Sequence, residues 1–208
     1  MSVLSGWLTV LAIGIVAVVT PGPDFALTLR NSLAYSRRAG VYTAVGVGAG
    51  NLVHAAYSLV GIGAIIAQSI VLFNLLKGLG AAYLVYVGIK SLLARKSAAV
   101  ENVARQRDIS PWAAFRIGFF GNLLNPKATL FFLALFTQLV QPATPLLVQA
   151  LYGATTAGLA LVWFTGVALL ISQPLVRTQL VRCSHWIERV TGALLIALGL
   201  RLAVAKAE

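Results

Sequence analysis

A run of apolar residues begins at Val3 and meets no positive charge until Arg30, and further long apolar runs follow it. A soluble core has no need of stretches this long, whereas about 20 predominantly apolar residues make one helix across a bilayer. The 208 residues are 59% hydrophobic and only 10% charged, with a mean hydropathy of +0.89. Soluble domains carry about 25% charged residues. The chain therefore reads as an all-α integral membrane protein, in which helices satisfy their own backbone groups in lipid.

Six transmembrane helices are expected, at about 3–20 continuing to 29, 40–68, 72–93, 112–139, 146–171 and 189–205. Polar connections lie at 94–111, read as a loop or a short surface helix, and at 173–188, with a short uncharged turn at 141–145. One transporter domain spans 1–208: repeat one about 1–93, the connection about 94–111, repeat two about 112–208.

The net charge of +11 first suggests nucleic acid. Its distribution excludes that partner, because the cations lie mostly between apolar runs with no aromatic-interleaved basic face. Topology signals and anionic membrane lipid account for the excess. Three connections carry Arg30, Arg37, Arg38, Lys90, Arg95, Lys96, Arg105, Arg107, Arg116, Arg177, Arg182 and Arg189; the opposite side carries Lys77, Arg201 and Lys206. The basic connections belong in the cytoplasm, which puts both termini of this multi-pass chain outside it. Cys183 is the only cysteine, so neither an intramolecular disulfide nor a CxxC pair can form. No Lys or Arg precedes the first run, so it is no conventional signal peptide and should stay in the mature protein.

The first run is interrupted by Thr20-Pro21-Gly22-Pro23-Asp24. Proline removes a backbone donor and clashes with the preceding turn, so the first helix should break there. A second interruption, Asn122-Leu123-Leu124-Asn125-Pro126-Lys127, should break the fourth helix. A half-helix starting at such a break aims unpaired amides and a positive dipole end into the protein, where a substrate carboxylate can dock. Thr20 offers a hydroxyl, and Asp24 an amine partner or proton carrier. The plainer alternative is a kink near the membrane surface with Asp24 as a first-turn acid. Lys127 lies too deep for easy snorkelling and needs a partner, for which Asp24 is the candidate. That pair serves either transport or structure alone. Asn122 completes backbone bonding near the break. Asn51 and His54 share a face of the second helix. His54 is a candidate proton relay with Asp24, or a hydrogen-bonded structural histidine. Gly46-x-x-x-Gly50 is a small-residue spacing for close helix packing.

The halves resemble each other. Gly88-x-Lys90 matches Gly199-x-Arg201, Ile13-Gly14 matches Ile117-Gly118, and Tyr42, Ala44 and Gly48 match Tyr152, Ala154 and Gly158. Three spans per repeat is an odd number, so the two copies insert with opposite topology, as two inverted three-helix repeats. Symmetry then brings the two breaks together.

No catalytic or metal-ligating constellation is present: there is no HExxH, GxSxG or Walker A pattern. The chain is expected to be no enzyme and to use no cofactor. Uphill transport would draw on an ion gradient.

Pro21-Gly22-Pro23-Asp24, Gly46-x-Gly48-x-Gly50, Ala81-Ala82-Tyr83-Leu84-x-Tyr86-x-Gly88, Gly118 through Asn125-Pro126-Lys127, and Gly192 to Leu200-Arg201 occur in that order. This set resembles the LysE/RhtB family of bacterial amino-acid exporters over essentially the whole chain. The resemblance implies export of an amino acid or close derivative from the cytoplasm across the inner (plasma) membrane, driven by the proton motive force. Members differ in substrate: basic amino acids, homoserine and threonine, leucine, cysteine. The family's break motifs fall on Pro21, Gly22, Pro23 and Asp24, and on Asn125, Pro126 and Lys127; many members have Asn where this chain has Asp24. The expected partners are a small amino acid, protons and membrane lipid, with a homo-oligomer left open. The alternative is a passive channel or a structural membrane subunit.

Overall fold

Proline at the first position of a helix costs no hydrogen bond, because the first amides have no intrahelical partner. Four of the eight helices described here start on one. The computed structural model describes residues 3–93, 106–140, 144–171 and 173–204. The helices are α1 (Val3–Val19), α2 (Pro23–Ala34), α3 (Arg37–Gln68), α4 (Ile70–Leu92), α5 (Pro111–Leu123), α6 (Pro126–Leu139), α7 (Leu146–Leu170) and α8 (Pro174–Val204). No strand occurs among the described residues. The axes of α1 and α2 bend by 52° across their break, and those of α5 and α6 by 58°. Among the described residues α7 is long and apolar enough to cross a membrane, and each of the two bent pairs is so when counted as one span.

The polarity of the bundle is inverted relative to a soluble protein. Leu4, Val60, Leu124, Leu147 and Val162 are exposed, while Thr28, Asn31, Thr43, His54 and Asn122 are buried. Apolar side chains turned outward and polar ones inward suit a lipid surround.

Small residues set the helix contacts. A side chain on Gly118 would collide with the carbonyl of Thr43, and one on Gly46 with that of Phe115, so α3 and α5 cross backbone to backbone. α4 and α8 meet in the same way. A Cβ on Gly88 would lie 2.7 Å from the Gly192 carbonyl oxygen, and one on Gly199 2.8 Å from that of Ala81. α3 also packs on α7, α1 on α7, and α4 on α6.

Several boundaries differ from the expected ones. α3 begins at Arg37, not 40, because the Ser36 hydroxyl accepts from the Ala39 amide at 3.1 Å and caps the first turn. α4 begins at Ile70, behind Ser69, whose hydroxyl accepts from Leu72 N at 3.2 Å. The larger correction is at 173–188, expected to be a connection, where α8 instead starts at Pro174 and runs unbroken to Val204. The polarity there was a signal about burial, not about backbone. Between Pro174 and Gly192 the sequence holds no helix breaker. Trp186 is exposed with the Arg189 guanidinium 5.8 Å from its ring, as at a membrane–water boundary. Residues 94–105 of the central connection and 141–143 of the uncharged turn lie outside the described residues, as do the side chains of Lys77, Arg177, Arg182 and Arg201.

Ser110 precedes Pro111 and its hydroxyl accepts from Ala113 N at 3.2 Å, capping α5. Ser110→Ala should lower stability by about 1 kcal/mol. A thermal melt of the detergent-solubilised protein checks this; an unchanged melting temperature would mean that the cap contributes nothing.

Candidate functional site

The two breaks meet. Thr20, Gly22, Pro23 and Asp24 from the first, and Asn125 and Lys127 from the second, line one cavity with Asn51 of α3. Its free volume is about 70 Å³, against the ~10–15 Å³ that one water needs on that measure. Tyr83, Phe131, Phe132, Thr156 and Phe164 supply much of the remaining wall. Pro21 and Pro126 line a wider vestibule of about 940 Å³ below it, with Tyr86, Lys90 and Glu188.

The helix starts at the two breaks differ. Asn125 is extended at φ −81°, ψ 107°, as a residue before proline should be, and its side chain accepts from Lys127 N at 3.0 Å. That start is capped. Gly22 stands at the cap position of α2 and has no side chain to offer, so the first amides of α2 stay uncapped. Lys127 supplies positive charge at that same point: a Cβ on Gly22 would lie 3.0 Å from Lys127 Nζ. An uncapped helix start beside an ammonium group presents both backbone donors and positive charge.

Asp24 faces the same cavity, but not as an ion pair with Lys127. Its Oδ2 accepts from Asn122 Nδ2 at 2.9 Å and its Oδ1 has no hydrogen-bond partner. Asp24 and Lys127 thus stand within Coulombic reach of each other with no direct salt bridge between them. Gly22 explains the offset, since it leaves the lysine room over the helix start. Asn122 takes part in backbone bonding at the break and does more besides. Its amide nitrogen serves Asp24 and also Asn51 Oδ1, at 3.1 Å, while its backbone carbonyl accepts from Asn125 N at 2.8 Å. The Thr20 hydroxyl spends its hydrogen on the Val16 carbonyl at 2.6 Å, so it offers the cavity only lone pairs.

His54 is fully buried. One ring nitrogen, Nε2, lies 3.0 Å from the Asn122 carbonyl oxygen and so carries the hydrogen; Nδ1 accepts from the Tyr57 hydroxyl. Its ring stacks on Phe132 at 5.6 Å. His54 does not line the cavity; it packs behind the wall residue Phe132 and bonds Asn122.

Sequence reasoning missed Tyr83, Thr156 and Glu188. Nothing in an apolar helix marks a wall aromatic as a wall, so the first two left no signal. Glu188 did: it is one of only five acids in the chain.

Polar and charged groups thus line a cavity inside a helical bundle with an apolar outer face. The chain belongs to the LysE type translocator family, whose model matches residues 15–206. It is 31% identical to the threonine efflux protein of Escherichia coli (strain K12), over 96% of this chain and 98% of the relative. It is 29% identical to the homoserine/homoserine lactone efflux protein of Salmonella typhimurium (strain LT2), over 96% of this chain and 97% of the relative. An uncharacterised membrane protein of Vibrio cholerae is 32% identical over 97% and 98%. No solved structure matches the chain significantly.

Proposed function

We propose that this protein exports an amino acid or close derivative from the cytoplasm across the inner membrane, coupled to inward proton movement. One observation carries the reading: the uncapped start of α2, Lys127 and Asp24 share one cavity. That set matches a zwitterion. The substrate carboxylate lies between the α2 amides and Lys127, and its ammonium faces Asp24 or the Asn51 and Asn125 carbonyls. The names of the threonine and homoserine efflux relatives support a small neutral amino acid.

In this reading α1–α2, α3, α4, α5–α6, α7 and α8 are six spans in two inverted halves, related by exchanging α1–α4 with α5–α8. The contacts support it: α3 with α5 has its counterpart in α7 with α1, while α3–α7 and α4–α8 are each their own counterparts. The α2–α3 contact has no equally developed counterpart between α6 and α7, nor the α4–α6 contact between α8 and α2. In that gap lies the vestibule, beside Lys90 at the end of α4. With the basic connections in the cytoplasm and both termini outside, the vestibule opens to the cytoplasm, as an exporter awaiting cargo requires. Rocking of the halves would close it and open the other side.

The test is transport in proteoliposomes with a panel of labelled amino acids under an imposed pH gradient. Uphill movement of one or more is expected. Flux that ignores the gradient would make the protein a channel, and no flux at all a structural subunit. Lys127→Gln should raise the KM for L-threonine about tenfold or more, the worth of a charged hydrogen bond at ~1.5–3 kcal/mol. Competition by L-threoninol, which lacks the carboxylate, should stay unchanged. Equal loss for both compounds would remove Lys127 from the carboxylate subsite.

A further inference from the structure

Buried side-chain polar atoms without hydrogen-bond partners are few among the described residues, and they are not scattered. They are Asp24 Oδ1, Thr28 Oγ1, Asn31 Oδ1, Ser58 Oγ, Asn122 Oδ1, Trp163 Nε1 and His185 Nδ1. The first five fall on one line.

On α2, Asp24, Thr28 and Asn31 are four and three residues apart and so share one face. On α3, Asn51, His54 and Ser58 are spaced three and four apart and share another. Asn122 of α5 joins the two faces. Its Nδ2 bonds Asp24 Oδ2 and Asn51 Oδ1, and its carbonyl accepts from His54. The line starts at Asn31, one turn from the end of α2, and reaches Ser58 in the far half of α3. It meets the substrate cavity only at Asp24 and Asn51; Thr28, Asn31, His54, Ser58 and Asn122 are not in the cavity wall.

Thr28 is the most informative member. Buried hydroxyls in helices commonly satisfy themselves on the carbonyl four residues back. Thr20, Ser32, Thr43, Thr137, Thr156 and Thr191 all do so here. Thr28 is fully buried and does not. Its hydroxyl is left free where the Asp24–Asn31 face needs a group that both donates and accepts. Neighbours on this face stand about 4.5–6 Å apart along the helix. Side chains so spaced can bond directly, yet Asp24 Oδ1, Thr28 Oγ1 and Asn31 Oδ1 have no hydrogen-bond partner, and bridging water would satisfy all three.

We infer that Asn31, Thr28, Asp24, Asn122, His54 and Ser58 line a hydrated proton path through the protein, beside the substrate cavity and joined to it at Asp24, in which water carries the proton past the Asn31 and Asn122 amides. The inference rests on the proton-coupled reading above. A proton taken up at the Ser58–His54 end is matched by one released at Asn31, with no covalent change. Tyr57 donates to His54 Nδ1, the nitrogen that would receive a proton from that end. The titratable and charged groups facing Asp24 are His54 from α3 and Lys127 from α6, with none from α5 or α7 among the described residues. Substrate bound against Asp24 would interrupt the path, which would make proton and amino-acid occupancy exclusive.

The test compares wild type with Thr28→Val, which keeps the shape and removes the hydroxyl, and with Ser58→Ala at the other end. Both are reconstituted in vesicles carrying an internal pH dye, with labelled L-threonine and L-homoserine as probes. Exchange of probe at equal pH should stay within twofold of wild type. Accumulation driven by the pH gradient, and the accompanying proton flux, should fall at least fivefold in both variants. Full coupling in both would overturn the path while leaving proton-coupled export standing. A wild type that exchanges probe but ignores the gradient, or moves neither probe, would overturn the coupled reading and the path with it. Should one variant fail to fold, the other decides.

Discussion

Gly118→Val is expected to leave almost no folded protein in the membrane. The α3–α5 crossing has no room for a side chain: at Gly118 it would run into the Thr43 carbonyl and at Gly46 into that of Phe115. Both obstacles are backbone, so no rotamer change relieves them. The helices must separate, and overpacking of that kind costs about 3 kcal/mol or more at a site unable to give. Separation would also release Thr43, whose hydroxyl bonds the Ala39 carbonyl at 2.8 Å and contacts that of Ala114 at 3.3 Å. Gly118→Ala should already be severe, because the Cβ itself collides. Gly158→Ala and Gly166→Ala make the controls, since a Cβ at either meets nothing within 4 Å. Fluorescence-detected size exclusion of detergent extracts reads the outcome. A monodisperse Gly118→Val protein at wild-type yield would mean that α3 and α5 do not cross this closely.

These glycines also show how far the sequence was readable. Gly46-x-x-x-Gly50 announced close packing, and close packing is what Gly46 does; but Gly50 makes room for a polar side chain, with Asn122 Oδ1 2.5 Å from where its Cβ would be. Spacing reveals that a helix face is small, not what fills the space. The prolines were legible for a stronger reason. A residue without an amide hydrogen restricts backbone geometry wherever it stands, and both breaks carry one. That they line one cavity was expected from the repeat, and they do. The missing ion pair between Asp24 and Lys127 was not legible, because it turns on where a lysine lies relative to a helix start. Thr28 and Asn31 were legible in principle, as polar residues one and two turns from Asp24 on the same helix face. The 173–188 stretch was misread because hydropathy reports solvent, whereas helix formation needs only the absence of breakers and a face to pack.

Asn122→Leu is expected to abolish uphill transport, by a hundredfold or more, in a protein that still inserts. The side chains are close in volume, so packing is largely kept. The polar balance is not. One amide nitrogen holds both Asp24 Oδ2 and Asn51 Oδ1. Without it Asp24 Oδ2 loses its close Asn122 hydrogen bond, while Oδ1 already has no partner, and Asn125 is the side-chain amide left to interact with the carboxylate. Stranding a buried charge by removing one partner costs about 3–5 kcal/mol. The carboxylate then moves, takes up a proton, or draws Lys127 across the cavity into direct contact; each ends its service as an ammonium partner. Asn122 is a positioning residue in this argument, acting through Asp24, and a double-mutant cycle separates that from a structural role. Asp24→Asn removes the charge whose position Asn122 fixes, so Asn122→Leu added to Asp24→Asn should cost far less than in wild type, a coupling of about 2 kcal/mol or more. Gly50→Ala should mimic Asn122→Leu, because its methyl group displaces the Asn122 amide. Additive losses in the cycle, measured by L-threonine accumulation in proteoliposomes, would mean that Asn122 serves the bundle and not the charge at its centre.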